Sequence, residues 1–185
     1  MNGLLGGNIA NVERIEIVTD ETTPATYVLE TATSCNYNAV VSQGQDVEQR
    51  VKNVLMGLLR TDDLVKGYDI ELEDQRLHGA ILALVDGGTL TGAGDQWTKY
   101  QATAIGTEIS RKSFTLKLYT SDRDTDGGVV TYHKWTFPDC KGSPVSGGAA
   151  DGSFTNMKYS IKSRPAKTHI PLTVDAVESL PSVSA

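Results

Sequence analysis

Several residue types that mark well-known protein classes are scarce in this sequence of 185 residues. It has two cysteines, Cys35 and Cys140, and neither belongs to a Cys-x-x-Cys pair. Two cysteines so far apart in the chain do not make a disulfide framework. We therefore expect two buried reduced thiols that behave as small apolar side chains, with one long-range disulfide as the alternative.

Long apolar runs are also missing. No run approaches the roughly 20 residues that a membrane-spanning helix needs. The stretch Met1–Gly7 has no basic region followed by a long apolar segment, so it does not resemble a secretory signal. We expect synthesis and folding in a cytosol, and no membrane partner.

Positive charge is limited. The net charge is −6, and residues 1–90 carry 6 Lys/Arg and 14 Asp/Glu, whereas residues 91–185 carry 11 and 9. The two halves therefore have charges of −8 and +2. Tight nucleic-acid binding depends on cations that neutralise phosphates, so specific DNA or RNA binding is not expected. An acidic surface would instead repel DNA.

The sequence contains no recognisable catalytic motif. His78, His133 and His169 are scattered, with no second histidine or cysteine at metal-ligand spacing. There is no Gly-x-Ser-x-Gly elbow. The acidic pairs Asp62-Asp63 and Glu73-Asp74 lie in predicted turns, where a solvated surface is the ordinary role. We predict a protein that is not an enzyme and that has no cofactor and no metal, although distant residues can still assemble a hydrolase site.

Two loops resemble ligand-binding motifs. Asp122–Gly127 matches the opening of an EF-hand calcium loop, but His133 stands where the loop needs a bidentate Glu. A turn between two strands explains it better. The stretch Asp86–Gly94 is rich in glycine but lacks the Gly-Lys-Ser/Thr of a phosphate loop. We expect a flexible loop there.

Alternating apolar and polar residues predict antiparallel β-strands. The alternation covers residues 12–19, 27–37, 68–73, 114–119 and 157–161. Residues 129–137 are rich in β-branched and aromatic residues, which also favours a strand. One helix is predicted over about residues 77–86, because an apolar segment there is closed by Gly87-Gly88. The predicted fold is mainly β: an antiparallel β-sandwich or barrel with one flanking α-helix, long loops and terminal arms.

Residues 46–60 give conflicting signals. Five apolar residues fall at helical spacing, namely Val51, Val54, Leu55, Leu58 and Leu59. The next residues, Thr61-Asp62-Asp63, could be a turn that leads into the strand at Tyr68. Periodicity alone therefore predicts a helix, whereas the surrounding pattern permits a strand.

Three stretches, in this order and spacing, resemble the tail tube proteins of long-tailed bacteriophages. They are residues 50–69, residues 77–88 with the core Leu82-Ala83-Leu84-Val85-Asp86-Gly87-Gly88, and residues 135–142 followed by Phe154 and by residues 159–165. With the connecting strands, the resemblance covers about residues 25–171. It implies one tail-tube domain over residues 1–185, with an N-terminal arm (1–11) and a C-terminal tail (172–185). It also implies that residues 46–60 contribute to a β-hairpin.

The resemblance further implies a structural protein of the virion tail, assembled in the cytoplasm of a bacterial host. Hexameric rings of this subunit would stack into a hollow tube that conducts the viral genome during ejection, without binding it specifically. Baseplate or tail-tip proteins, a tail terminator and possibly a sheath would be its other partners. Repulsion of DNA would favour an acidic lumen, and the candidate lumen residues are Glu48, Asp69, Glu71 and Glu73.

Two alternatives remain open at this point. The tube of a headless, phage-tail-like bacteriocin would share the fold and the assembly but conduct no genome. A monomeric β-sandwich that binds or decorates another structure belongs to a different functional class. Polymerisation that depends on concentration would separate this module from a tube subunit.

Overall fold

Strands make up most of the chain in the computed structural model, which describes residues 8–92 and 96–182. The described part holds twelve strands and one helix. In chain order they are β1 (Asn8–Thr19), β2 (Thr26–Leu29), β3 (Ala32–Ser42), β4 (Asp46–Val51), β5 (Val54–Arg60), β6 (Leu64–Asp74), α1 (Gly79–Asp86), β7 (Thr89–Thr91), β8 (Lys99–Gln101), β9 (Phe114–Arg123), β10 (Val129–Gly142), β11 (Met157–Ser163) and β12 (Thr173–Val177). The prediction of a mainly β, antiparallel protein with a single short helix is confirmed.

One antiparallel sheet of eight strands forms the body. Its order is β2-β1-β9-β10-β11-β6-β3, and β12 pairs with the first half of β10. The strand β10 bends at Pro138-Asp139, where Asp139 has a φ of 49° and the register with β9 shifts. Beyond this bend, Cys140–Gly142 pair with β11. The bend therefore lets one long strand connect the two halves of the sheet.

The two halves share one hydrophobic core. Ile15, Ile17, Leu116 and Leu118 contribute from β1 and β9, and Ile70, Leu72, Tyr159 and Ile161 contribute from β6 and β11. Along β11, buried Tyr159 and Ile161 alternate with exposed Lys158, Ser160 and Lys162. This is the pattern expected of strands with one face on the core and one in water. The strands predicted at 114–119, 129–137 and 157–161 are confirmed.

The helix α1 covers the predicted segment. It begins at Gly79, two residues after the predicted start, and ends at Asp86. Gly87 closes it in the left-handed conformation, with a φ of 86°, and donates its backbone N–H to the carbonyl of Ala83. Ile81, Leu84 and Val85 join the core of the sheet. No helix in residues 8–92 and 96–182 is long and apolar enough to span a membrane.

Three boundaries differ from the prediction. The strand predicted over residues 27–37 is wrong as one element, because β2 pairs with β1 and β3 pairs with β6. The chain turns between them at Glu30-Thr31, where the Thr31 hydroxyl donates to the Asp74 carboxylate at 2.5 Å. The predicted N-terminal arm (1–11) is too long, since residues 8–11 belong to β1, and the predicted tail (172–185) contains β12.

Candidate assembly surface

Residues 46–60 form a β-hairpin that stands apart from the main sheet. The strands β4 and β5 pair only with each other among the described residues. A two-residue turn, Lys52-Asn53, joins them, with Lys52 in the left-handed region at a φ of 55°. At the open end, Arg60 donates to both oxygens of Asp46, at 3.0 and 3.1 Å. The hairpin implied by the resemblance is confirmed, and the helical periodicity is misleading.

The base of this hairpin is held by side chains of the predicted turn at Thr61–Asp63. The backbone N–H of Gly44 donates to Asp63 at 2.7 Å, and that of Gln45 donates to the Thr61 hydroxyl at 2.7 Å. The backbone N–H of Thr61 returns a hydrogen bond to the carbonyl of Gln45 at 3.0 Å. These bonds hold the two chain segments together at the base of the hairpin.

Apolar side chains cover the hairpin, and they face solvent in the single chain. Seven of them are more than half exposed: Val47, Val51, Val54, Leu55, Met56, Leu58 and Leu59. The pairings Val47↔Leu59 and Val51↔Val54 place four of them on one face, because Val47 and Val51 are four residues apart on β4. Leu58, the partner of Glu48, lies on the other face. Contiguous exposed apolar surface marks interaction sites in soluble proteins. The sequence does not reveal this exposure, because five of the seven residues also fit the buried stripe of a helix.

The main sheet also ends in strands that are paired along one edge only. Within the described residues, β3 is the last strand on one side, and its second edge has no partner. It is 11 residues long. Long free edges present backbone N–H and C=O groups that pair readily with another chain. The hairpin and this edge are therefore two candidate interaction surfaces.

The acidic residues proposed for the lumen lie in two places. Asp69, Glu71 and Glu73 share the outer face of β6, with Asn38, Asn36 and Ser34 opposite them on β3. Glu48 lies apart, on β4 of the hairpin, where it bonds Arg50 at 2.6 Å. Strand alternation places Asp69, Glu71 and Glu73 on one face, whereas Glu48 lies on a separate two-stranded sheet.

Cations on β11 and just beyond it neutralise part of this acidic face. Lys158 lies opposite Glu73, with Nζ and Oε1 2.6 Å apart. Arg164 bonds Asp69 at 2.5 Å. Glu71 lies opposite Ser160 and has no salt bridge among the described residues. The net charge of −8 on residues 1–90 therefore does not describe this face. Cations from the second half of the chain, on β11 and just beyond it, lie beside the acidic residues of β6.

The loop that resembles a calcium site is the turn between β9 and β10. Asp124 Oδ1 accepts the backbone N–H groups of Asp126 at 3.1 Å and Gly128 at 2.7 Å. His133 lies on β10, with Nε2 3.8 Å from Oδ2 of Asp122. The Asp124 carboxylate thus stabilises a turn between two strands, as the sequence predicted for this loop. The other predicted loop, Asp86–Gly94, contains β7, and its residues 93 and 94 lie outside the described residues.

Each histidine lies beside an aspartate, which spacing in the sequence did not reveal. The pairs are His78–Asp74 at 3.4 Å, His133–Asp122 at 3.8 Å and His169–Asp139 at 2.7 Å. No hydroxyl or thiol in residues 8–92 and 96–182 hydrogen bonds to any of the three rings, so no catalytic triad is formed there. Among the same residues, no group of three or more His, Cys, Asp or Glu side chains could hold a metal ion.

The cysteines are both free thiols. Cys140 is buried in the core and Cys35 is partly buried on β3. Burial raises the pKa of each thiol to about 12. The prediction of two unbridged thiols is confirmed, although Cys35 retains some exposure.

Comparisons with known proteins gave structural similarity only. No family model matches the chain, and no curated protein sequence matches it. One similar structure is a chain of an extracellular contractile injection system, the PVC sheath–tube complex in its extended state. It has a TM-score of 0.45 and 11% identity, over 90% of this chain and 91% of that one. Another is a chain of the anti-feeding prophage (AFP) baseplate, with a TM-score of 0.39 and 10% identity, over 94% of this chain and 97% of that one.

Proposed function

We propose that this chain is the subunit of a phage tail tube, which assembles into hexameric rings that stack and conduct the genome. The observation that carries the proposal is the hairpin β4–β5, whose apolar side chains are exposed on both faces of a separate two-stranded sheet. An isolated hairpin is at best marginally stable in water. A second copy of the chain would cover it.

The gain from covering the hairpin is large. Burying a Val, Leu or Met side chain completely contributes roughly 1.5–3 kcal/mol. The seven hairpin side chains are about half exposed, so covering them would contribute roughly 5–10 kcal/mol per copy. This is a gross gain, and the cost of association, roughly 4–15 kcal/mol, is subtracted from it, so further contacts between copies are needed for a stable assembly.

Ring closure needs a contact between unlike surfaces. The hairpin lies in the chain between β3 and β6, and nothing in the described part of the same chain covers it. Packed on a different surface of its neighbour, it would form head-to-tail contacts, which close into rings or continue as filaments. Six-fold closure, stacking and genome conduction come from the sequence resemblance.

The inner wall of the tube is proposed to carry the outer face of β6. Asp69, Glu71 and Glu73 would lie there, and Glu71 would supply its unneutralised negative charge. DNA carries dense negative charge and would slide along such a wall without being held. Tail-tip, terminator and sheath proteins would bind the ends and the outside of the tube.

Electron microscopy of concentrated protein tests the proposal. Wild-type protein should form rings or hollow tubes, and the double variant Leu55→Glu/Leu59→Glu should remain monomeric while keeping its fold. Both side chains are exposed in the single chain, at 51% and 63%, so the variant should fold normally. Ile105→Glu is the matched control, because Ile105 is fully exposed outside the hairpin.

Two results would contradict the proposal. One is a strictly monomeric wild-type protein at high concentration, even when tail tips are added as seeds. The other is normal tube formation by the double hairpin variant. The melting temperature and circular dichroism of each variant distinguish lost assembly from lost folding.

A further inference from the structure

Two lysines lie directly opposite each other where β10 meets β11. Lys141 on β10 is the register partner of Lys162 on β11. Like charges at directly opposed positions destabilise a sheet. Neither lysine forms a salt bridge among the described residues. The nearest carboxylate in register with Lys162 is Asp69 on β6, and Asp69 is bonded to Arg164.

These lysines and Arg164 line a cavity of about 550 Å³, here called the basic pocket. Its one acidic residue, Asp139, is bonded to His169 at 2.7 Å. The Arg164 guanidinium is held in place by the carbonyls of Tyr68 and Ser163, each at 2.9 Å. Two cations therefore remain without a negative partner in a preformed cavity.

The turn at residues 124–128, here called the acidic turn, carries charge opposite to that of the basic pocket. Asp124 and Asp126 are exposed, and Gly127 and Gly128 leave its tip narrow. Arg123, at the start of the turn, is engaged by the Gly127 carbonyl at 3.0 Å and by Glu13 at 3.3 Å. The hydrogen bonds from Asp126 and Gly128 to Asp124 hold the turn in one shape. The turn thus presents exposed negative charge on a backbone held by hydrogen bonds to Asp124.

The two features lie at opposite ends of one strand. The acidic turn precedes Val129 and the basic pocket includes Lys141, at the two ends of β10, which has 14 residues. At about 3.3 Å per residue the separation along the strand is roughly 40 Å, somewhat less because of the bend. The turn of one chain cannot reach the pocket of the same chain, so charge complementarity is available only between copies.

We propose that the acidic turn of one copy docks into the basic pocket of the next copy. The proposal rests on the self-assembly proposed above and names a second pair of surfaces, independent of the hairpin. Asp126 would face Lys141 and Lys162, relieving the repulsion between the two lysines. Because Lys162 is in register with Asp69, the docked turn would cover the Asp69 end of the β6 face and leave Glu71 and Glu73 on the inner wall. Because the surfaces are different and lie at opposite ends of β10, the contact repeats head to tail.

Charge reversal tests this contact. Asp126→Lys and Lys162→Glu should each raise the critical concentration for assembly at least about tenfold, since each places like charges in contact. The combined variant restores opposite charges and should return to within about threefold of wild type. Asp151→Lys is the control, because Asp151 is an exposed acidic residue outside the turn. Asp126 is the chosen position because Asp124 shapes the turn.

Salt supplies a second readout. Raising ionic strength should increase the critical concentration of wild type more than that of a variant with Lys141→Gln and Lys162→Gln. Single reversals without effect, or a combined variant that stays as defective as the single ones, would overturn the docking proposal. If wild-type tubes still form in that case, the tube assignment stands. A wild-type protein that never assembles would overturn both.

Discussion

Gly142 on β10 lies so close to Val85 of α1 that a Cβ on Gly142 would be 2.1 Å from the Val85 carbonyl oxygen. That oxygen belongs to the backbone, which cannot move aside as a flexible side chain can. We predict that Gly142→Ala lowers the free energy of unfolding by roughly 1–3 kcal/mol or more, through overpacking. Gly148→Ala, where a Cβ meets nothing within 4 Å, should change it little. Urea denaturation measures both, and equal effects would contradict the prediction.

The hydroxyl of Tyr159 is buried and has no hydrogen-bond partner among the described residues. Burial and the nearby Asp74 carboxylate raise the pKa of Tyr159 to about 12. An unsatisfied buried polar group is costly. We therefore expect Tyr159→Phe to leave the free energy of unfolding unchanged or to raise it by about 1 kcal/mol, whereas Tyr159→Ala should lower it by roughly 3–5 kcal/mol. A loss above about 2 kcal/mol in Tyr159→Phe would show that the hydroxyl is bonded in solution.

Alkaline pH should destabilise the protein through its buried thiols. In the native state the pKa of Cys140 is about 12, against 9.0 for an unperturbed thiol. Between these values the native state keeps a proton that the unfolded chain loses, so the free energy of unfolding falls as the pH rises above 9. Urea midpoints should begin to decline near pH 9 and should continue to fall up to about pH 12. Cys140→Ala should decline less steeply; an equal slope would assign the effect to other groups.

The turn at Asp124 should be structural and indifferent to calcium. Because the Asp124 carboxylate accepts two backbone N–H groups, Asp124→Ala should lower the free energy of unfolding by roughly 1–2 kcal/mol. Titration calorimetry should detect no micromolar calcium binding in wild type, since His133 replaces the closing Glu. A micromolar dissociation constant that Asp124→Ala abolishes would be evidence for a metal site.

Changing the charge of Glu71 should affect genome ejection and should leave the folding and assembly of the subunit unchanged. Since Glu71 has no salt bridge among the described residues, Glu71→Lys should leave the tubes intact and slow genome ejection. Glu108→Lys, an exposed position in the loop before β9, is the control. A structure of the assembled tube should show Glu71 on a negative inner wall. Unchanged ejection, or a neutral or basic wall, would reject the repulsive conduit without rejecting the tube.

Local sequence patterns correctly predicted those strands and the helix that keep one face buried along their whole length. The alternation of Tyr159 and Ile161 with lysine and serine predicted β11, and Gly87 marked the end of α1. These signals hold because each element has one buried face with its own period. They do not show where a strand changes partners, and so residues 27–37 were predicted as one strand.

Tertiary structure decided the features on which the proposed assembly depends. The apolar residues of 46–60 are compatible with a helix until β4 and β5 pair and project them into solvent. The opposition of Lys158 to Glu73, and that of Lys141 to Lys162, arise from strand register between distant segments. The spacing of apolar side chains depends only on neighbouring residues, so it can be read from the sequence. Pairing partners and burial depend on which strands meet, and those contacts form only when the chain folds.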